Sequence, residues 1–168
     1  MNTRKPDWRE YKPLTSIVVP VLNESANVLP LVERVRDALN GHLTEILFVD
    51  DSRDSLTEEA VMVAKKFYGS DTFTVNIFHR AGDQRWGALS GAITDGMERA
   101  LSDQIIVMDG DLQHPPEMIP DMIRSAENYD MVVASRYVEG GSTIGLDGNI
   151  RHLVSNYYTR WIGNLVTS

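Results

Sequence analysis

Ser16-Ile17-Val18-Val19-Pro20-Val21 is a short apolar run, and Val28, Leu31, Val32, Val35 and Leu39 follow it at intervals of three or four. The first pattern fits a buried strand, and the second puts one apolar face on a helix ending near Gly41. The same unit then repeats. Residues 46–49 form an unbroken apolar run typical of a central parallel strand, and Ser55 with Glu58 has capping-box spacing ahead of a helix through Phe67. Residues 74–78 predict a weaker third strand, 88–100 a helix, and 105–108 a fourth strand. Gly91 and Gly96 lie inside that helical stretch at a cost in propensity, which points to close packing or a nearby ligand.

Pro116 can open a further helix carrying Met118, Ile119, Met122, Ile123 and Ala126 on one face. Residues 131–134 read as a fifth strand, 139–148 as a Gly-rich loop, and Ile150, Val154, Tyr157, Trp161 and Leu165 share the face of a last helix. Alternation of strands and helices predicts an α/β fold with a mostly parallel sheet flanked by helices. Residues 1–14 read as a polar tail and 15–168 as one domain; a chain that stops within an apolar helix is expected to be incomplete at its C-terminal end.

A length of 168 residues with 42% hydrophobic composition suffices for one well-filled core. Sixteen Lys and Arg against 24 Asp and Glu give a formal net charge of -8, the wrong sign for a general nucleic-acid binder. The absence of cysteine excludes disulfides, thiolate metal sites and cysteine nucleophiles. No stretch reaches the roughly 18 apolar residues of a membrane span.

The chemistry is concentrated in Ile105-Ile106-Val107-Met108-Asp109-Gly110-Asp111-Leu112-Gln113-His114-Pro115-Pro116-Glu117, where an apolar strand hands two carboxylates to one point. Hard oxygen donors placed this way suit Mg²⁺ or Mn²⁺ shared with a diphosphate, because such ions keep positions open for phosphate and water. Polar clusters follow every strand pattern: Asn23-Glu24, Asp50-Asp51, His79-Arg80, Asp109-Gly110-Asp111 and Ser135-Arg136. Ligands of open α/β sheets bind beyond the carboxyl ends of the strands. Asp, Asn and Ser also favour turns and caps, which accounts for any one cluster but less well for five in register. His114, beside two prolines, and His79 with Arg80 read as loop residues near the pocket.

On these motifs, together with residues 87–96 and Ala134-Ser135-Arg136-Tyr137 with Gly140-Gly141, the chain resembles the inverting family-2 glycosyltransferases of GT-A (Rossmann-like) fold. Within them it is similar to the dolichol- and polyprenyl-phosphate mannosyl- and glucosyltransferases. The resemblance covers nearly all of residues 16–168 and makes 15–168 the catalytic domain. It implies that Pro20, Leu22 and Glu24 line the nucleotide pocket, with Asp50 and Asp51 accepting hydrogen bonds from base or ribose. Asp109, Gly110 and Asp111 would contact the nucleotide-sugar, and Asp109, Asp111 and Gln113 would hold Mg²⁺ or Mn²⁺. Arg136, Arg151 and Ser155 would bind the acceptor phosphate.

The implied reaction moves mannose or glucose from a GDP- or UDP-sugar to a polyprenyl or dolichyl phosphate, with inversion, at the cytoplasmic face of a membrane. An acceptor phosphate is largely ionised at neutral pH and needs no protein base. Tyr157, Tyr158, Arg160 and Trp161 suit either an interfacial surface or the core, and membrane attachment would come through a missing region or a partner. The family's Asp-Asp-Gly-Ser-x-Asp is here Asp50-Asp51-Ser52-Arg53-Asp54, one residue shorter, and the family pattern continues past the final helix. Two other functions share features with this sequence: an aspartyl-phosphate phosphatase, whose pair is expected on the first strand, and a non-catalytic nucleotide-sugar-binding module. A dinucleotide fingerprint is excluded, since Val21-Leu22-Asn23-Glu24-Ser25 stands where its glycines would be.

Overall fold

Four parallel strands, β1 (Thr15–Val21), β2 (Thr44–Asp50), β3 (Phe73–His79) and β4 (Ile105–Val107), pair in the order β3-β2-β1-β4. The computed structural model describes residues 12–135. Helices α1 (Ser25–Ala38), α2 (Leu56–Tyr68), α3 (Ala88–Arg99) and α4 (Ile119–Ala126) follow the strands in turn. The chain divides into Met1–Asp130, which holds all of these elements, and Met131–Ser168.

The period-two alternation of the strands decides which helix covers which face. Ile17, Val19, Val21, Ile46, Phe48 and Val75 point one way and pack with Val28, Leu31, Val32 and Val35 of α1 and Val61 and Ala64 of α2. Val18, Leu47 and Val49 point the other way, onto Ala92 of α3. A parallel sheet covered on both faces reads as continuous hydrophobic runs, as β1 and β2 do. Gly96 is what lets α3 lie so close, because a Cβ there would run into the Val18 side chain and come within 2.9 Å of Val49 Cγ2. The expectation of close packing at that glycine is met.

Three sequence expectations differ from the structure. Residues 131–134 are irregular rather than a strand; Met131 and Val133 are exposed, and a strand forms only where a partner takes its hydrogen bonds. Ser55 is the N-cap of α2 but makes no cap bond: its hydroxyl donates to Glu59 Oε1 at 2.6 Å, while Asp54 Oδ1 accepts the Leu56 N–H at 3.1 Å. Pro116 opens a 3-10 turn, Pro116–Met118, which passes into α4. The predicted 139–148 loop and the helix from Ile150 to Leu165 lie outside the described residues.

Candidate active site

The strand order runs outward from β1 to β3 and then returns to place β4 on the other side of β1, so the direction of winding switches between β1 and β4. A crevice forms at the carboxyl end of such a switch point. Proline opens it here. Ser16 N–H donates to Gln104 O and Met108 N–H to Val18 O, so alternate β1 residues face β4, and Pro20 comes next in that series without an N–H to give. The β1–β4 register ends at Val18↔Val107, two residues before Pro20. Past that point β1 delivers exposed Leu22, left-handed Asn23 (φ 58°) and half-buried Glu24, the N-cap of α1.

The exit of β2 is built around a buried turn. Asp50 is wholly enclosed; its Oδ1 accepts the Ser52 N–H at 2.9 Å and its Oδ2 meets His79 Nδ1 at 2.9 Å. Ser52, also buried, accepts the Asn23 N–H on Oγ at 2.8 Å and lies 3.1 Å from Thr57 Oγ1. This turn therefore joins the β1 exit to the start of α2, which gives the shortened segment a defined geometry. Both Asp50 oxygens are engaged by protein groups. Asp51 differs: Oδ2 is 3.4 Å from Arg80 Nη1, while Oδ1 is buried with no hydrogen-bond partner among the described residues.

At the exit of β3 the structure corrects the sequence reading. His79 is the last strand residue rather than loop, whereas Arg80 does lie in the loop and carries the largest fully buried side chain among the described residues. Arg85, in the 3-10 turn Gly82–Arg85, donates to Arg80 O at 2.9 Å and to Ser52 O, tying this loop to the β2 exit. Sequence reasoning names Arg80 and Ser52 but gives neither a role. The available signal was a charge set directly after an apolar strand and followed by Gly82, Gly87 and Gly91.

The β4 exit brings the acidic pair to the crevice. Asp111 Oδ1 accepts the Gln113 N–H at 3.0 Å, and His114 Nδ1 accepts the Asp109 N–H at 3.3 Å. These bonds close the loop tightly, with Leu112 held in the left-handed region (φ 63°), where a branched residue is strained. Such strain persists only where the surroundings over-determine it, and it clusters at functional sites. Buried Gly110 lies against Glu24: a Cβ on it would touch Glu24 Oε2 and come within 2.7 Å of Val21 Cγ1.

Glu24 Oε2 is buried and has no hydrogen-bond partner among the described residues. Its carboxyl is raised above the usual glutamate range, first by burial and then by the negative charges of Asp111 and Asp109. Three carboxylates thus share one region. Among the described residues no three His, Cys, Asp or Glu side chains form a ready-made metal cage. The donor set still fits Mg²⁺ or Mn²⁺, since such ions commonly take one or two carboxylates and fill the rest of their shell with phosphate oxygens and water.

A folded state that holds the Glu24 proton more tightly than the unfolded chain loses stability as pH rises through and above the ordinary value of about 4.3. In chelator, the wild-type melting temperature is therefore expected to fall over that window more steeply than that of Glu24→Gln, which carries no charge there at any pH. Parallel melting curves against pH for the two proteins would exonerate Glu24.

The sequence profile of glycosyl transferase family 2 matches residues 16–164. The chain belongs to that family. Family relatives include the dolichol-phosphate mannosyltransferase of Pyrococcus furiosus, 38% identical over 128 residues that make up 75% of this chain and 34% of that protein. The dolichol-phosphate mannosyltransferase of Saccharomyces cerevisiae is 32% identical over 136 residues, 79% of this chain and 47% of its own. An undecaprenyl-phosphate 4-deoxy-4-formamido-L-arabinose transferase of Pseudomonas aeruginosa is 35% identical over 126 residues, 73% and 35% respectively.

The chain thus spans between 34% and 47% of the length of these family 2 relatives. In fold it resembles a mannosyltransferase from Pyrobaculum calidifontis, solved in complex with GDP-Man and Mn²⁺. The TM-score is 0.51 at 19% identity, covering 70% of this chain and 33% of that one. The GT-A expectation is met by this likeness and by the all-parallel sheet. Of the residues assigned from sequence, the fold gathers Glu24, Asp109, Gly110 and Asp111 at the switch point and sets Asp50 and Asp51 at the neighbouring strand exit. Pro20 is buried within β1, Leu22 is exposed beyond it, and Gln113 follows the acidic pair. Arg136, Arg151 and Ser155 lie outside the described residues.

Proposed function

We propose that this chain carries the donor- and metal-binding part of a hexosyltransferase. In this reading it moves mannose or glucose from a GDP- or UDP-sugar to a polyprenyl or dolichyl phosphate with inversion. One observation carries the reading: Glu24, Asp109 and Asp111 converge at the switch point, and a buried oxygen of Glu24 has no partner among the described residues. The names of the relatives support the substrate class, and the Pyrobaculum enzyme, which binds GDP-Man and Mn²⁺, supports the donor and ion.

In this mechanism Asp109, Asp111 and Gln113 would hold a divalent cation. When bound, Mg²⁺ or Mn²⁺ supplies Lewis-acid stabilisation of the charge that builds on the departing nucleoside diphosphate. Asp51 accepts a hydrogen bond from the base or ribose through Oδ1, which has no partner among the described residues, while Asp50 shapes the turn that presents it. Leu22 and the end of β1 flank the nucleotide. Arg136, Arg151 and Ser155 bind the acceptor phosphate, for which a guanidinium fork is well matched. The acceptor oxygen is already ionised and attacks the sugar without a protein base. A soluble donor and a lipid acceptor support a reaction at a membrane surface, and we propose its cytoplasmic side. No helix of the described residues is long and apolar enough to cross a bilayer.

The test uses labelled GDP-mannose and UDP-glucose with dolichyl phosphate and Mn²⁺ or Mg²⁺. Metal-dependent label in the organic phase is expected from one donor. Donor binding in calorimetry without any transfer would make the chain a binding module instead, and phosphate trapped on Asp109 would make it a phosphatase.

A further inference from the structure

Arg80 follows β3 directly and its side chain is fully buried. A guanidinium withdrawn from water is tolerated only when its five N–H donors are matched. They are. Nε donates to Gln84 O at 2.8 Å and lies 3.1 Å from Asp95 Oδ2. Nη2 donates to Gln84 O and Trp86 O, each at 2.6 Å. Nη1 donates to Ala88 O at 3.1 Å and to Asp51 Oδ2 at 3.4 Å.

Three alternate carbonyls of one loop thus converge on a single cation. That loop contains Gly87 and Ala88 at positive φ, 66° and 46°, a conformation alanine rarely adopts without support. Gly91 makes the room, since a Cβ there would run into Trp86 O, one of the three carbonyls, and lie 3.0 Å from Arg80 Nη2. With its donors satisfied inside the protein, Arg80 has none to offer a ligand. Its effect is on Asp51: with Oδ2 held, Oδ1 is left buried and without a partner among the described residues. Buried acceptors of that kind discriminate strongly in favour of ligands that bring a matching N–H or O–H.

We infer that Arg80 is a positioning residue for nucleoside recognition, locking Asp51 to the 84–88 loop so that Asp51 Oδ1 faces the nucleoside while Arg80 itself touches no ligand. The inference rests on the nucleotide-sugar reading of the crevice. It separates two parts of the donor: the nucleoside depends on Arg80, whereas the pyrophosphate and cation, held at the β4 exit, do not.

Arg80→Lys keeps the charge but cannot bridge three carbonyls and a carboxylate. Calorimetry on the 168-residue chain, at a temperature where far-UV dichroism shows wild type and variant equally folded, would measure two probes. These are a nucleoside monophosphate (GMP and UMP) and inorganic pyrophosphate with Mn²⁺. Nucleoside monophosphate affinity is expected to fall roughly tenfold or more, the loss of one well-placed bond to a charged group, with pyrophosphate affinity unchanged.

In an Asp51→Asn background, Arg80→Lys is expected to add nothing, since both act through one oxygen. Should Arg80→Lys fail to fold, Asp95→Asn loosens the same guanidinium and is expected to show the same selectivity at smaller amplitude. Equal losses for both probes, or losses that multiply in the double variant, would overturn the inference in favour of general destabilisation. A wild-type chain that binds neither probe would instead overturn the reading of the crevice itself, and the positioning role with it.

Discussion

Asp111→Asn is expected to lower sugar transfer by roughly 10²–10³-fold, the range seen when one preorganised electrostatic contact to a transition state is removed. The fold should survive, because Asp111 is exposed and its Oδ1 serves the loop as acceptor of the Gln113 N–H, a task that asparagine Oδ1 performs equally well. What disappears is charge. The variant should need more Mn²⁺ for half-maximal rate and should recover part of its activity when Mn²⁺ is raised. Removing that charge also removes one of the two that raise Glu24, so the pH slope of stability in chelator should flatten along with the loss of activity. A variant transferring sugar at the wild-type rate in chelator would disprove the ligand assignment.

The architecture was legible because each βα unit states itself twice, once in a β-branched run and once in a three-four spacing. β2 and β3 are each longer than their apolar runs because Thr44, Asp50, Phe73 and His79 still pair in the ladder. The clusters at the strand exits were legible for the same reason, as polar residues standing where an apolar run stops. What pattern could not separate was the division of labour within a cluster. Asp50 and Asp51 are adjacent and chemically identical, yet Asp50 has both oxygens engaged by protein groups, whereas Asp51 keeps one buried oxygen without a partner among the described residues. The burial of Arg80 was hidden for a related reason. Sequence treats a charge as solvated, whereas backbone carbonyls, which carry no sequence signature, can solvate it inside the protein. The 131–134 stretch shows the opposite failure: strand composition is visible in sequence, but the partner that would make it a strand is not.

Asp50→Ala is expected to destabilise the protein by about 2–4 kcal/mol, because it strips a buried turn of its acceptor and leaves a cavity. Ser52 N–H would lose its Asp50 acceptor, and a buried donor left unmade costs about 1–3 kcal/mol. His79, partly exposed, can turn to water and softens the remainder. Asp50→Asn should cost far less, about 1 kcal/mol or below, since its Oδ1 still accepts from Ser52 and the imidazole can change tautomer to meet the amide. The loss in Asp50→Ala should spread beyond the turn, because Ser52 Oγ holds the Asn23 N–H and Ser52 O holds Arg85. Urea midpoints of the two variants, read beside nucleotide affinity, distinguish the alternatives. If Asp50→Ala unfolds at the wild-type midpoint yet binds nucleotide poorly, Asp50 is a ligand contact after all, and the enclosed carboxylate must open when the nucleotide arrives.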